Sequence, residues 1–230
     1  MKISSEFSKF APEYGSYNTI QNQVLKHLLG KIVKKPKQIL DLGCGDGGVC
    51  KAIDWEYEHF VGVDFAPKML ELHPKSQKIE CVYGDFGNEV FFETLLASKY
   101  DLITSASALQ WAADLEAIFK NIKRLDAPIA LAIFTANTFK TLNKTASISS
   151  MLRSADEIEA LNKKYFGANF ELQSYKLEFK STREAFRYIK RSGVSGARRI
   201  LSYKESKKLL NEYPLSYLEF EVVFICSCSI

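Results

Sequence analysis

Long apolar runs are missing from this chain. The longest, IALAIF (129–134) and VVFIC (222–226), are strand-sized, far short of the roughly 20 residues a bilayer-spanning helix needs. The opening MKISSEFSKF has no apolar signal core, so the reading expects a cytoplasmic protein with no membrane segment. Cysteine is odd in number: five residues, at spacings that suit neither zinc ligation nor a disulfide framework. Free thiols in a reducing compartment are the simplest expectation. No acidic cluster of the kind that holds Mg²⁺ is evident, and no metal is expected. The remainder, 47% hydrophobic and 25% charged residues over 230 positions, is an ordinary globular composition for a single domain spanning 1–230.

Charge is modest in total and uneven in place. The chain carries +4. Between Lys180 and Lys208 ten Lys or Arg face only Glu184 and Glu205, a local +8 that leaves −4 for the rest. One basic surface on a slightly acidic body argues for an anionic partner at one place and against general nucleic-acid binding.

The apolar pattern alternates between two periods. Phe7, Phe10, Tyr14, Tyr17, Gln21, Val24, Leu28 and Ile32 follow helical spacing, which predicts an N-terminal helical segment over 1–35, regular from about Asn18 to Val33. Short apolar strands follow at KPKQILDL, HFVGVDF (59–65), IECVYGDF (79–86), YDLITSASA and APIALAIFT, with helical stretches between them. Strands apolar throughout and separated by helices indicate a doubly wound α/β sheet, parallel and covered on both faces. Ligands of such sheets sit outside the carboxyl ends of the strands, where the turn after ILDL, Asp64, Asp85 and Ser105 all fall. After Thr135 the rhythm changes. The segment 136–215 reads as a helical lid around a strand at 169–179, with basic helices at 182–193 and 203–214, and 216–229 closes the chain as a strand.

The turn ILDLGCGDGG (39–48) carries the chemistry. Gly43, Gly45 and Gly48 fit the spacing of a dinucleotide-binding turn, whose free N–H groups meet a pyrophosphate. Asp41 at its entrance and Asp46 within it would repel that anion and favour a cation. S-adenosylmethionine meets these constraints, with an ammonium, a cationic sulfonium and a ribose diol. Gly43, Cys44 and Gly45 would cradle it, Asp64 with Phe65 beside it would accept from the ribose hydroxyls, and Asp85 with Phe86 would meet the adenine. Asp64 and Asp85 also have a plainer use as caps of the helices that follow them.

ILDLGCGDGG, VGVDFAPKML, YGDF and YDLITSASALQW together resemble the class I S-adenosylmethionine-dependent methyltransferases. That resemblance implies a seven-stranded sheet of order 3-2-1-4-5-7-6 with the last strand antiparallel, and S-adenosylhomocysteine as product. The chain departs from the family where RLDAPIAL replaces a proline-glycine turn before the fifth strand.

The end of the fourth strand bears on the acceptor. SASALQW (105–111) stands where N-P-P-Y would mark methylation of an amine or amide nitrogen, and the three histidines, His27, His59 and His73, fall outside the expected crevice. An acceptor that is already nucleophilic, such as a carboxylate, needs no base, only placement and a dry pocket. Segments 8–29, 105–125, 188–214 and 214–224 resemble the malonyl-acyl-carrier-protein O-methyltransferases of biotin synthesis. The resemblance implies a malonyl group on acyl-carrier protein as acceptor, and the basic segment offers Arg183, Arg187, Lys190 and Arg191, at helical spacing, as its docking face. Tyr14, Tyr17 and Trp111 would wall the pocket over the transferable methyl, although aromatics at helical spacing also serve in cores. The chain departs from that family's pattern at SGVSGARR. A methyltransferase of another small acid or a quinone-type metabolite, a nicotinamide dehydrogenase and an inactive binding module remain as rivals.

Overall fold

The computed structural model describes residues 18–191 and 203–227, without the side chains of 190–191 and 203–205. Seven strands form one sheet: β1 (Gln38–Leu42), β2 (His59–Asp64), β3 (Ile79–Tyr83), β4 (Leu102–Ala106), β5 (Ile129–Phe134), β6 (Asn169–Glu178) and β7 (Tyr217–Cys226). Their order is β3-β2-β1-β4-β5-β7-β6. The first five are parallel, and β7 runs antiparallel to both β5 and β6. This is the topology the sequence led us to expect.

Side chains alternate between two covered faces, which explains why β1, β2, β4 and β5 are apolar at nearly every position. Ile39, Phe60, Leu102, Ala130, Ala132, Val222 and Phe224 face one way. Leu40, Val61, Ile103, Leu131, Ile133, Val223 and Ile225 face the other. The first layer is closed by α1 (Thr19–Leu29), which buries Ile20, Val24, Leu25 and Leu28, and by Tyr188, Ile189, Leu209 and Tyr213. The second is closed by α4 (Glu89–Leu95) and α5 (Leu115–Arg124) through Phe92, Leu95, Leu115, Ile118, Phe119 and Ile122. Each such side chain contributes about 1.5–3 kcal/mol by leaving water. Between them in sequence lie α2 (Gly48–Ala52) and α3 (Pro67–Leu72).

Caps set several boundaries. Asp114 accepts from the Ala117 N–H at the start of α5. Ser154 and Glu157 form a reciprocal capping box at the start of α7 (Ala155–Tyr165). Asp126, in the turn before β5, takes the left-handed backbone with φ 48°. Within 136–215, β6 completes the sheet and α7 covers it beside α5. Two features escaped the sequence reading. A 3-10 turn covers Leu109–Trp111, and α6 (Lys140–Thr145) is held from β7, where Glu219 accepts from the N–H groups of Phe139 and Thr141. The last two helices are α8 (Thr182–Arg191) and α9 (Tyr203–Glu212). Among the described residues no helix is long and apolar enough to cross a membrane.

Candidate functional site

A cavity with about 780 Å³ of empty space, including open solvent, lies at the carboxyl ends of β1, β2 and β4. That size suits a cofactor-sized ligand. Its floor is the glycine turn, and its walls include Asn18, Gln21 and Asn22 at the start of α1, Met69 of α3, and Ser107 and Trp111 after β4.

The turn is built to be pressed on from both sides. Gly43 has φ 77°, and a Cβ there would stand 2.2 Å from the Ala108 Cβ. Gly47 has φ 85°, and a Cβ would meet Pro74 at 2.5 Å and the His73 ring at 2.8 Å. No real side chain occupies such space, and the left-handed backbone excludes most residues in any case. Four amides of the turn are already used. Gly43 and Cys44 N–H both donate to the Val63 carbonyl, at 2.8 and 3.0 Å. Gly45 N–H donates to Asp64 Oδ2 at 2.9 Å, and Gly47 N–H to the Cys44 carbonyl at 2.9 Å. Glycine serves tight packing here, not an anion nest.

Charge at the cavity has one sign. Asp41 lies opposite Gly62 of β2 and Thr104 of β4 in the sheet register and is 1% exposed. Neither of its carboxylate oxygens has a hydrogen-bond partner. Burial, and secondly the Asp64 charge, hold its carboxyl well above the ordinary 3.8. Asp64 is buried too, but it accepts from Gly45 and Ala66 N–H. Burial raises it, and the N–H donors of Ala66, Gly45 and Phe65 oppose the rise. Asp46 is neutralised by Lys51 at 2.9 Å. A buried carboxylate with no partner is costly, so the arrangement calls for a cationic ligand.

The cavity gathers Asp41, Gly43, Cys44, Gly45, Asp64, Phe65 and Trp111 from the residues nominated by sequence. Asp64 also serves locally, since its Oδ1 accepts the Ala66 N–H ahead of α3. Asp85 is exposed, outside the cavity lining, and accepts from Gly87 N–H at 2.8 Å, while Asn88 caps α4. Phe86 is buried, and its ring edge comes within 3.5 Å of where a Gly43 Cβ would stand. Ser105 is fully buried and donates its hydroxyl to the Leu42 carbonyl at 2.6 Å, tying β4 to β1. The serine that lines the cavity is Ser107. Tyr14 and Tyr17 fall outside the described residues, as do the side chains of Lys190 and Arg191. Burial drives the Cys44 thiol far up, so it stays protonated. The described lining contains no His, Lys, Arg or Tyr.

The sequence reading missed the polar wall of Asn18, Gln21 and Asn22, and Ser107. The signal for the wall was present: an Asn-Thr-Ile-Gln-Asn run gives α1 a polar start that its apolar stripe does not need. Away from the cavity, Arg183 and Arg187 are exposed one turn apart on α8, while Ala185, Tyr188 and Ile189 on its other side are buried. The Ile20 N–H of α1 donates to the Tyr188 hydroxyl, so α8 is seated against the helix that walls the cavity.

Residues 40–130 match the family described as a methyltransferase domain. The malonyl-[acyl-carrier protein] O-methyltransferase of Bacillus anthracis is 25% identical over 178 residues, 73% of this chain and 64% of that protein. The chain thus spans just under two thirds of that relative's length. Among solved structures, the YcgJ protein of Bacillus subtilis has a TM-score of 0.62 at 15% identity, covering 88% of this chain and 97% of that one. A phosphoethanolamine N-methyltransferase 2 of Haemonchus contortus, solved with S-adenosyl-L-methionine, has a TM-score of 0.55 at 15% identity, covering 88% of this chain and 51% of that one.

Proposed function

We propose that this chain, whose residues 40–130 are a methyltransferase domain on the S-adenosylmethionine-dependent methyltransferase fold, methylates the free carboxyl of a malonyl group carried on acyl-carrier protein. The product would be the malonyl methyl ester, an early intermediate of biotin synthesis, with S-adenosylhomocysteine released. The observation that carries the reading is Asp41, buried beside Asp64 with both oxygens unpartnered. A sulfonium and an ammonium are the charges such a pair lacks.

S-adenosylmethionine supplies an electrophilic methyl group. The chain supplies the rest. Asp41 and Asp64 attract the cationic ligand, and Asp64 keeps lone pairs for a diol after accepting two N–H bonds. Val49, Met69, Leu25 and Trp111 give the cavity apolar walls, which would hold water off a bound ligand. A dry cavity favours a step in which a positive sulfur and a negative carboxylate both lose charge. The absence of an ordinary base among the described lining residues suits an acceptor with no proton to give up. Arg183 and Arg187, exposed on α8, offer the acidic carrier a docking face near α1. The low-identity relatives named for malonyl-acyl-carrier protein support the choice of acceptor.

Incubation with methyl-labelled S-adenosylmethionine and malonyl-acyl-carrier protein tests this. The label is expected in a base-labile ester, lost on Asp64→Ala substitution. A base-stable amine or ether product would reject a carboxyl acceptor. Equal turnover of a carrier-free malonyl thioester would favour the alternative of a small acid as natural substrate.

A further inference from the structure

We propose that the Ser107 hydroxyl is the hydrogen-bond donor that orients the acceptor carboxylate. The inference rests on the carboxyl-acceptor reading and deepens it.

Three observations meet at this residue. Ser107 lines the cavity just beyond β4, on the same short segment as Trp111. Its hydroxyl oxygen is buried and has no hydrogen-bond partner. Its backbone is left-handed, with φ 64°, where serine is disfavoured and glycine would fit without strain. The strained conformation is enforced from both sides. Ser107 N–H donates to the Ala132 carbonyl of β5 at 3.0 Å, and the Gln110 amide nitrogen donates to the Ser107 carbonyl at 2.5 Å. Strain maintained by two bonds, at a residue whose side chain satisfies nothing in the protein, points to a role toward a ligand.

The chemistry selects which ligand. Asp41 and Asp64 serve the cationic cofactor, and neither can donate a hydrogen bond when ionised. Among the described polar side chains after β4 in the lining, Ser107 offers a neutral donor. An acceptor carboxylate has two oxygens. One accepts from the Ser107 hydroxyl, and the other is left to attack. In the transfer an O–CH₃ bond forms as the S–CH₃ bond breaks, and the bonding pair stays on sulfur. No proton moves, so the hydroxyl orients without titrating. Ser105, two residues earlier, cannot share this task because its hydroxyl is committed to Leu42.

The test compares Ser107→Ala and Ser107→Gly with the wild-type protein. Turnover of malonyl-acyl-carrier protein is measured beside calorimetric binding of the malonyl thioester of N-acetylcysteamine to protein loaded with S-adenosylhomocysteine. Both variants are expected to weaken the thioester and lower kcat/KM for the carrier substrate by roughly 10- to 100-fold, the range for a hydrogen bond to a charged group. Affinity for S-adenosylhomocysteine is expected to stay within about twofold, because the hydroxyl does not serve the cofactor. Loss of S-adenosylhomocysteine affinity with thioester binding intact would assign the hydroxyl to the cofactor and overturn the inference. So would wild-type behaviour of Ser107→Gly, which lacks the hydroxyl and relieves the strain. Wild-type protein that makes no ester and binds no thioester would instead defeat the carboxyl-acceptor reading, and the inference with it.

Discussion

Charge is handled in opposite ways at the cavity and on α8. At the strand ends it is negative, buried and partly unpartnered, as in Asp41. On α8 it is positive, exposed and laid over an apolar face that is already satisfied by the core, as in Arg183 and Arg187 above Tyr188 and Ile189. A buried charge acts at short range in a weakly screening medium, and it fixes the identity of a small ligand. An exposed charge is screened within about 8 Å at physiological salt. It steers a large partner without defining it. The two regions meet at α1, whose polar start walls the cavity and whose Ile20 N–H bonds Tyr188. On the function proposed here, a carrier docked on α8 would stand beside the helix that walls the cavity.

The sharpest way to break this contrast is Asp41→Asn. Affinity for S-adenosylmethionine is expected to fall about 100-fold or more by calorimetry, as an ion pair in a desolvated site is lost. The same change should raise the melting temperature of the ligand-free protein at neutral pH by a few degrees. The sign follows from the carboxyl being held above 3.8 in the folded state. A raised acid stabilises the fold below its unfolded pKa, and that contribution is lost as pH rises through the folded value. The gain in Asp41→Asn should thus vanish near pH 3. Wild-type affinity for S-adenosylmethionine should decline as pH drops through Asp41's raised pKa, at a higher pH than an ordinary carboxylate would give. An affinity flat in pH across that range would argue that Asp41 does not face the cation.

Gly43→Ala comes next. The added methyl would lie 2.2 Å from Ala108 at a positive φ, so the β4 segment must move and carry Ser107 and Trp111 with it. A loss of about 2 kcal/mol or more in stability, and at least a tenfold loss in S-adenosylhomocysteine binding, are expected from denaturation and calorimetry. The smallest effect belongs to α8. Arg183→Glu with Arg187→Glu should raise KM for malonyl-acyl-carrier protein roughly tenfold at low salt and leave cofactor affinity unchanged. The difference from wild type should shrink as salt rises. A matching loss of cofactor affinity would show that the two regions are not separable.

Much of the fold was legible because β1, β2, β4 and β5 are buried on both faces, so their apolar runs marked the elements without help from the tertiary structure. Asp41 and the turn were legible for a local reason: an acid next to close-packed glycines suits few ligands. Ser107 was not. Ser105 and Ser107 are of one chemistry, two residues apart, and the strand ends at Ala106, between them. Which hydroxyl reaches the Leu42 carbonyl depends on the register of β4 against β1, a long-range property. The helix α6 was hidden likewise. Five of its six residues are polar, and its start is fixed by Glu219 and by Phe139 packing edge-on to Phe220, some 80 positions later in the chain. Asp85 looked equivalent to Asp64 because the apolar pattern put both at strand ends, but β3, the sheet's edge, stops at Tyr83 and Asp85 lies exposed beyond it.

The most direct measurement is calorimetry of the ligand-free protein against S-adenosylmethionine, S-adenosylhomocysteine and NAD at neutral pH. The adenosyl-sulfur ligands are expected to bind in the cavity and NAD to show no heat, because the Gly43, Cys44 and Gly45 amides are spent on Val63 and Asp64 and the acids beside them repel a diphosphate. Saturable NAD binding with none for either sulfur compound would contradict the account.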